Sequence, residues 1–347
     1  MTKNNFSLFQ LWSPDENYTN HRIPGMIVTR KGTVLAYCEA RKNSSDWAMM
    51  DILLYRSENH GKTFSNPVIL AQGTEEHKTV NNPVMVEDKN GRIHFLYCED
   101  YSVNGGRVLR RFSDDDGITW STPIDITSST MPDFRNAFAL GPGHGIMTKE
   151  NVLVVPVWMV PKHYRSDIYS HTPSVLSTLY SKDNGETWQM GDILDSNNLV
   201  FSPNETVLTQ TSDGKVYLNG RHLAYYRIKA YSDNGYSGWT EYGPEFGLPT
   251  PQCFSSVASY NDGEHPFTII YAGCVSKTSR TKVTVFASTD DGKTFPVSKL
   301  LDESRGGYAE VAVDNKEGLI YVLYEDNWGT TNHLAVFNYE WLMGEKE

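Results

Sequence analysis

One short motif recurs along the chain and constrains its fold more than any other feature. Copies of the pattern Ser-x-Asp-x-Gly-x-Thr-aromatic occupy residues 57–64, 113–120, 181–188 and 288–295. The first copy has Asn59 in the Asp place, and a degenerate copy, YSDNGYSGW, begins at Tyr231. The copies begin about 50 to 70 residues apart, a spacing typical of repeated supersecondary units.

The residue types of the motif suit a tight hairpin turn. Asp and Ser side chains can accept hydrogen bonds from the backbone N–H groups of a turn, and Gly adopts the positive φ that such turns need. The aromatic residue is expected to fold back onto the sheet. We therefore interpret the motif as structural and not as a set of metal-binding loops.

The segments around the motif read as β-strands throughout. Each copy follows an alternating stretch such as DILLYRS or KVTVFAS, and plainer hairpins with Lys-Gly, Asn-Gly or Asp-Gly turns lie between copies. About six plain hairpins, including the weaker pair FSSVASY and FTIIYAGC, alternate with five motif-bearing strands, which predicts an all-β, six-bladed β-propeller with four strands in each blade. The final strand, HLAVFNYEW, is expected to pair with the N-terminal SLFQLW and close the ring.

Composition limits the domain organisation and the class of partner. No linker or low-complexity tract divides the chain, so length and composition leave one large domain or two ordinary ones. The repeats favour one propeller domain over residues 1–347. The formal net charge of −11 argues against a nucleic-acid binder, and it means that an anionic substrate would need a locally basic pocket.

The four cysteines show no C-x-x-C spacing, and we interpret Cys38 and Cys98, which lie in apolar runs, as buried free thiols.

The N-terminus has no apolar leader region, and no later run reaches membrane-spanning length. A cytoplasmic protein is therefore expected, while secretion or a periplasmic location stays open for a chain from which a leader was trimmed.

The repeats and the segment His21-Arg22-Ile23-Pro24 together resemble the sialidase (neuraminidase) family, and within it the bacterial exo-α-sialidase type. Members of this family are six-bladed propellers whose repeats are called Asp boxes or BNR repeats. The resemblance covers nearly the whole chain. It implies three arginines for the carboxylate on the anomeric carbon of sialic acid, at positions matched here by Arg22, Arg221 and Arg280. Arginine suits this role because its planar guanidinium donates two parallel hydrogen bonds and stays charged.

The resemblance also implies the catalytic groups. Tyr308, in ESRGGYAEVAV, resembles the family nucleophile, and a neutral phenol avoids repulsion by the substrate carboxylate. Because the ordinary pKa of a phenol is about 10, it needs a nearby base, a role that Glu205 in FSPNETVL matches. Asp46 matches the acid/base residue that protonates the leaving oxygen and later activates water. Asp51 is the alternative, although we interpret it as the start of the following strand.

Supporting residues follow from the same resemblance. Glu325, in VLYED, resembles the carboxylate that pairs with the first arginine, and Arg41 matches an arginine that touches the hydroxyl side of the sugar ring. Asn82 stands near where several relatives carry Asp, which leaves recognition of the 4-hydroxyl open. His144 lies in FRNAFALGPGHGI, which resembles a channel-lining segment, and is either structural or substrate-facing. Trp47 is expected to close over the sugar.

The resemblance implies a retaining exo-α-sialidase that needs no metal or organic cofactor and acts on sialylated glycans, and we expect a monomer. Several alternatives stay open: transfer of sialic acid to another sugar, intramolecular release of an anhydro product, preference for the deaminated sugar, and a non-catalytic sialoglycan-binding propeller. A pure binder would need the arginines but not the catalytic groups. Linkage preference does not follow from the sequence.

Overall fold

The computed structural model describes residues 5–101, 106–164 and 171–344. Within these residues the chain is nearly all β, with one short α-helix, α1 (Tyr339–Met343), and 3-10 turns at Thr127–Ser129, Lys162–Tyr164 and Asn327–Gly329. None of the described helices is long and apolar enough to cross a membrane.

The described strands form six antiparallel blades in chain order, except that the first strand, β1 (Phe6–Trp12), joins the last blade. Blade 1 contains β2 (Asn20–Val28), β3 (Val34–Arg41), β4 (Met50–Ser57) and β5 (Val68–Gln72). Blade 2 contains β6 (Val80–Glu87), β7 (Ile93–Glu99), β8 (Arg107–Ser113) and β9 (Ile124–Asp125). Blade 3 contains β10 (Arg135–Leu140), β13 (Leu153–Pro161), β14 (Val175–Ser181) and β15 (Gln189–Met190).

Two short strands add to blades 2 and 3. They are β11 (Gly143–His144), parallel to β6, and β12 (Ile146–Met147), which pairs with β13.

The remaining blades follow the same plan. Blade 4 contains β16 (Thr206–Gln210), β17 (Val216–Gly220), β18 (Tyr226–Ser232) and β19 (Thr240–Pro249). Blade 5 contains β20 (Ser256–Tyr260), β21 (Thr268–Cys274), β22 (Thr281–Ser288) and the first half of β23 (Val297–Asp314). Blade 6 contains the second half of β23, β24 (Leu319–Asp326), β25 (Thr331–Asn338) and β1.

Blade 6 confirms the expected closure of the ring. β1 pairs antiparallel with β25, with Leu8 opposite Ala335. The expected strand HLAVFNYEW is three residues too long, because the side chain of Asn338 accepts a hydrogen bond from the backbone N–H of Trp341 at 3.1 Å and so caps α1. The N-terminal strand thus completes the blade that the C-terminal strands begin, which leaves no blade short of its fourth strand.

The recurring motif joins the third and fourth strands of blades 1 to 5. In the second copy, the N–H of Gly117 donates to Ser113 Oγ at 2.9 Å, and the N–H of Thr119 donates to Asp115 at 2.8 Å. Gly117 has a φ of 79°, which favours glycine. In the third copy, the indole N–H of Trp188 folds back to the carbonyl of Gly185 at 3.0 Å. These contacts confirm the interpretation of the motif as a turn-forming element.

The core lies between the faces of neighbouring blades, where the strands bury Val, Leu, Ile and aromatic side chains. All four cysteines are buried free thiols, Cys38 and Cys98 as expected. This packing holds the innermost strands rigidly around the axis, so that residues at their ends converge on one face of the ring.

Candidate active site

A cavity of about 340 Å³ lies at the axis of the propeller, and all six blades contribute to its lining. Its lining includes the seven residues predicted for carboxylate binding, for catalysis and for contact with the hydroxyl side of the sugar ring: Arg22, Arg41, Asp46, Glu205, Arg221, Arg280 and Tyr308. A cavity on which polar and charged groups converge is a candidate small-molecule site. Residues spread over most of the chain are thus brought together in one place.

Three guanidinium groups surround a single phenol. Arg22 lies in the innermost strand of blade 1, Arg221 directly follows β17, and Arg280 directly precedes β22. The guanidinium carbons of Arg22 and Arg280 each lie 5.4 Å from the ring centroid of Tyr308, and Nη1 of Arg221 lies 3.3 Å from its hydroxyl oxygen. This concentration of positive charge opposes the negative net charge of the chain locally and fits a carboxylate.

Tyr308 and Glu205 form a buried hydrogen-bonded pair. Tyr308 is 5% exposed, and its hydroxyl donates to Glu205 Oε1, while Arg221 donates to Glu205 Oε2 at 2.6 Å. Burial raises the pKa of Tyr308 well above its ordinary value, and the negative Glu205 raises it further, against the opposing effect of the three arginines. The proton therefore rests on the phenol, and Glu205 is placed to accept it.

Glu325 lies beneath the cavity and links two parts of the site. Its carboxylate is fully buried and accepts from Arg22 Nε at 2.8 Å and from the N–H of Ile23 at 2.9 Å. Its second oxygen accepts from the N–H of Tyr308 at 3.0 Å. Glu325 therefore holds the fork of Arg22 and the backbone of Tyr308 in a fixed relation, which is the pairing that the sequence predicts for it.

The loop after β3 places Asp46 at the rim of the cavity. Its side chain is 50% exposed and accepts from Arg41 Nη1, whereas Arg41 is buried and also donates through Nε to Glu39 at 2.9 Å. Burial raises the pKa of Asp46, but the charge and hydrogen bond of Arg41 outweigh this and hold the pKa below its ordinary value. Asp46 is thus ionised in the free protein and has to gain a proton before it can act as an acid.

The alternative acid, Asp51, lies elsewhere. It belongs to β4, is buried, accepts from the hydroxyl of Tyr18 and from the N–H of Gly73 at 3.0 Å, and does not line the cavity. These contacts match its interpretation as a strand residue.

Three further predictions have mixed outcomes. Asn82 lines the cavity, and its backbone N–H donates to Glu39 Oε1 at 2.8 Å. His144 does not face it, because its imidazole pairs with the buried Glu310 and borders a separate cavity of about 180 Å³. Trp47 is not among the residues that line the cavity, but its indole stacks on the lining residue Tyr101 with centroids 5.3 Å apart. The expectation that it closes over the sugar stays a prediction.

Sequence reasoning missed several residues of the lining. Glu39 carried a usable signal, since it is a charge within an otherwise apolar strand, two residues before Arg41 and therefore on the same face. Aromatic residues also line the cavity, namely Tyr101, Trp158, His171 and Trp328. They carried no usable sequence signal, because tyrosine and tryptophan also fill the core throughout the chain.

Within the described part of the chain, no group of three or more His, Cys, Asp or Glu side chains is arranged to hold a metal ion. The chemistry that this arrangement can perform is anion binding by the arginines, nucleophilic attack by a phenol with a carboxylate base, and proton transfer by a second, half-exposed carboxylate.

Known proteins resemble this chain in sequence and in fold. The family model described as a BNR repeat-like domain matches residues 32–322. The exo-alpha-sialidase of Arthroderma benhamiae is 29% identical, over 95% of this chain and 87% of the relative. The solved structure of the Hadza microbial sialidase Hz136 superposes with a TM-score of 0.81 at 24% identity, covering 92% of this chain and 66% of that one. The intramolecular trans-sialidase from Ruminococcus gnavus superposes with a TM-score of 0.77 at 17% identity, covering 95% and 96%.

Proposed function

Because the chain belongs to the sialidase family of BNR repeat-like domains, we propose that it is a retaining exo-α-sialidase that removes terminal sialic acid from glycoconjugates. One observation carries the proposal. The hydroxyl of a buried tyrosine donates a hydrogen bond to a glutamate within a cluster of three arginines, and an aspartate stands at the rim of the same cavity. Every group that this reaction needs has a candidate.

In the first half of the reaction, Arg22, Arg221 and Arg280 bind the carboxylate of the sugar. Glu205 takes the proton of Tyr308, and the phenolate oxygen forms a bond to the anomeric carbon. The bond between this carbon and the glycosidic oxygen breaks as protonated Asp46 gives its proton to that oxygen. The aglycone leaves as a neutral alcohol, and the sugar stays attached to the tyrosine.

In the second half, ionised Asp46 takes a proton from water, and the water oxygen attacks the anomeric carbon. The bond to Tyr308 breaks, and Glu205 returns its proton to the phenolate. Two inversions at the same carbon give sialic acid with retained α configuration. Asp46 is ionised in the free protein, so it has to gain a proton before the glycosidic bond breaks. Either the substrate binds to the fraction of the protein in which Asp46 is already protonated, or bound substrate raises the pKa of Asp46. The negative carboxylate of the substrate acts in the latter direction.

The non-catalytic alternative has less support. A sialoglycan-binding propeller would need the three arginines, but it would not need Glu205 to accept a proton from Tyr308. It would also not need Asp46 beside them. The simultaneous presence of all three side chains in one cavity favours an enzyme.

The test is hydrolysis of 4-methylumbelliferyl N-acetylneuraminic acid by the wild-type protein and by Tyr308→Phe, with Tyr180→Phe as a matched control. Tyr180 lies in blade 3 and donates to Gln189 at 2.8 Å, away from the cavity. We expect activity in the wild type and the control, and a loss of at least about 10³-fold in Tyr308→Phe because the nucleophile is removed. Equal activity in all three would remove Tyr308 from its role, and no activity in any would favour the binding propeller.

A further inference from the structure

An exposed apolar surface lies beside the cavity on blade 4, and we call it the apolar rim. Its side chains come from the loop before β16, the loop after β17 and the strand β19. Their exposed fractions are 56% for Leu199, 47% for Phe201, 44% for Leu223, 54% for Tyr225 and 71% for Phe246. Contiguous exposed apolar side chains on a folded protein commonly mark a binding surface.

The rim is continuous with the cavity through Leu223. This residue lies two positions after Arg221 and is itself part of the cavity lining. Its N–H donates to the carbonyl of Phe201 at 2.8 Å, which joins the two loops side by side. A group that leaves the cavity on this side therefore meets Leu223 and Phe201 first.

A row of rings extends the rim away from the cavity. The ring of Phe201 stacks on His222 with centroids 6.4 Å apart, and His222 contacts Tyr226 at 5.2 Å. Tyr226 in turn meets Phe246 edge to face at 4.9 Å. The rings beneath hold Phe201 and Phe246 in place, so the rim presents fixed apolar surface to solvent.

The two surfaces differ sharply in chemistry. Four arginines and three carboxylates line the cavity, whereas the rim residues carry no charge. With a volume of about 340 Å³, the cavity is at the lower end of small-ligand pockets and holds a single sugar residue. In an exo-acting enzyme, the group attached to that residue has to lie outside the cavity.

From this we infer that the apolar rim is a subsite for the aglycone and that it favours sialosides whose aglycone carries an alkyl or lipid chain. The inference rests on the proposed function, since only a sialoside would place its aglycone there. The chain would lie along Leu223, Phe201 and Phe246 while the arginines hold the sugar. An extended polar glycan gains less from such a surface, because it has little apolar area to bury.

The experiment compares the n-octyl and methyl α-glycosides of N-acetylneuraminic acid, at octyl concentrations below micelle formation. Both release an unactivated simple alcohol, so they differ mainly in apolar chain length. Because each buried methylene favours binding, we expect the octyl compound to have a kcat/KM about tenfold higher in the wild type. We expect Phe246→Ser to reduce this ratio to about twofold, and Phe246→Leu to keep most of it.

The control is Ile118→Ser, which removes another exposed apolar side chain, 58% exposed, from the turn motif of blade 2 and should leave the ratio unchanged. An octyl-to-methyl ratio near one in the wild type, or an equal decrease in Ile118→Ser, would overturn the inference and leave the proposed function standing. Hydrolysis of neither glycoside, nor of the 4-methylumbelliferyl substrate, would instead overturn the proposed function.

Discussion

Replacement of Glu325 by glutamine tests how the site is held together. Glutamine has nearly the same shape, but it is neutral and replaces one acceptor oxygen with a donor. Because both oxygens of Glu325 accept hydrogen bonds, from Arg22 and Ile23 on one side and Tyr308 on the other, the amide group has to face a donor in either orientation. The change also leaves the buried guanidinium of Arg22 without its counter-charge.

The size of the effect follows from this burial. Breaking a buried ion pair by neutralising one partner lowers the free energy of unfolding by about 3 to 5 kcal/mol, and the acceptor that glutamine retains favours the lower value. For cooperative unfolding of 347 residues at about 2.1 cal/mol/K each, a loss of about 3 kcal/mol lowers Tm by about 4 °C. A displacement of Arg22 and Tyr308 on the scale of about 1 Å lowers kcat/KM by about 10²-fold.

The assay is thermal unfolding together with hydrolysis of the 4-methylumbelliferyl substrate. The matched control is Glu317→Gln, an exposed glutamate in the turn between β23 and β24, which should change neither Tm nor kcat/KM. If Glu325→Gln keeps wild-type activity and stability, then Glu325 does not position Arg22 and Tyr308.

Two further predictions concern the blade packing and the acid. Gly185 and Gly263 both have positive φ, but a Cβ on Gly185 would lie 2.2 Å from the ring of His94, whereas a Cβ on Gly263 meets nothing within 4 Å. Denaturant unfolding should therefore show a loss of about 3 kcal/mol for Gly185→Ala and about 1 kcal/mol for Gly263→Ala, and equal losses would contradict the close approach of Gly185 to His94 between blades. Because Arg41 lowers the pKa of Asp46, Arg41→Gln should raise that pKa, so that the decrease of kcat/KM with rising pH begins at higher pH. Arg41→Lys should leave the profile nearer that of the wild type, and a shift of Arg41→Gln to lower pH would refute the assignment of Asp46 as the acid.

The repeats made most of the fold predictable. Their turn chemistry depends on local residues, such as Ser113, Asp115 and Gly117, whose contacts are all made within a few positions. The closure of the ring could also be predicted, because an unpaired strand at each end of the chain has one obvious partner. The end of β25 could not, since it depends on the capping contact of Asn338, which competes with continued alternation.

The site was less predictable than the fold. The arginines and Tyr308 are found through family position, but their separation along the chain gives no local sign that they meet. His144 illustrates the limit of sequence-based prediction, because only the three-dimensional arrangement shows that it pairs with Glu310 and does not line the cavity. The stacking of Trp47 on Tyr101 likewise joins two loops from different blades, which no local pattern encodes.

The most direct test of the central claim is the anomeric configuration of the first sugar released. Proton NMR of an α-sialoside mixed with the wild-type protein follows the product before mutarotation. Attack by Tyr308 followed by attack of water predicts that α-sialic acid appears first and the β-anomer grows in later. Initial release of the β-anomer would contradict a covalent intermediate on Tyr308, and release of an anhydro sugar would show that water is not the acceptor.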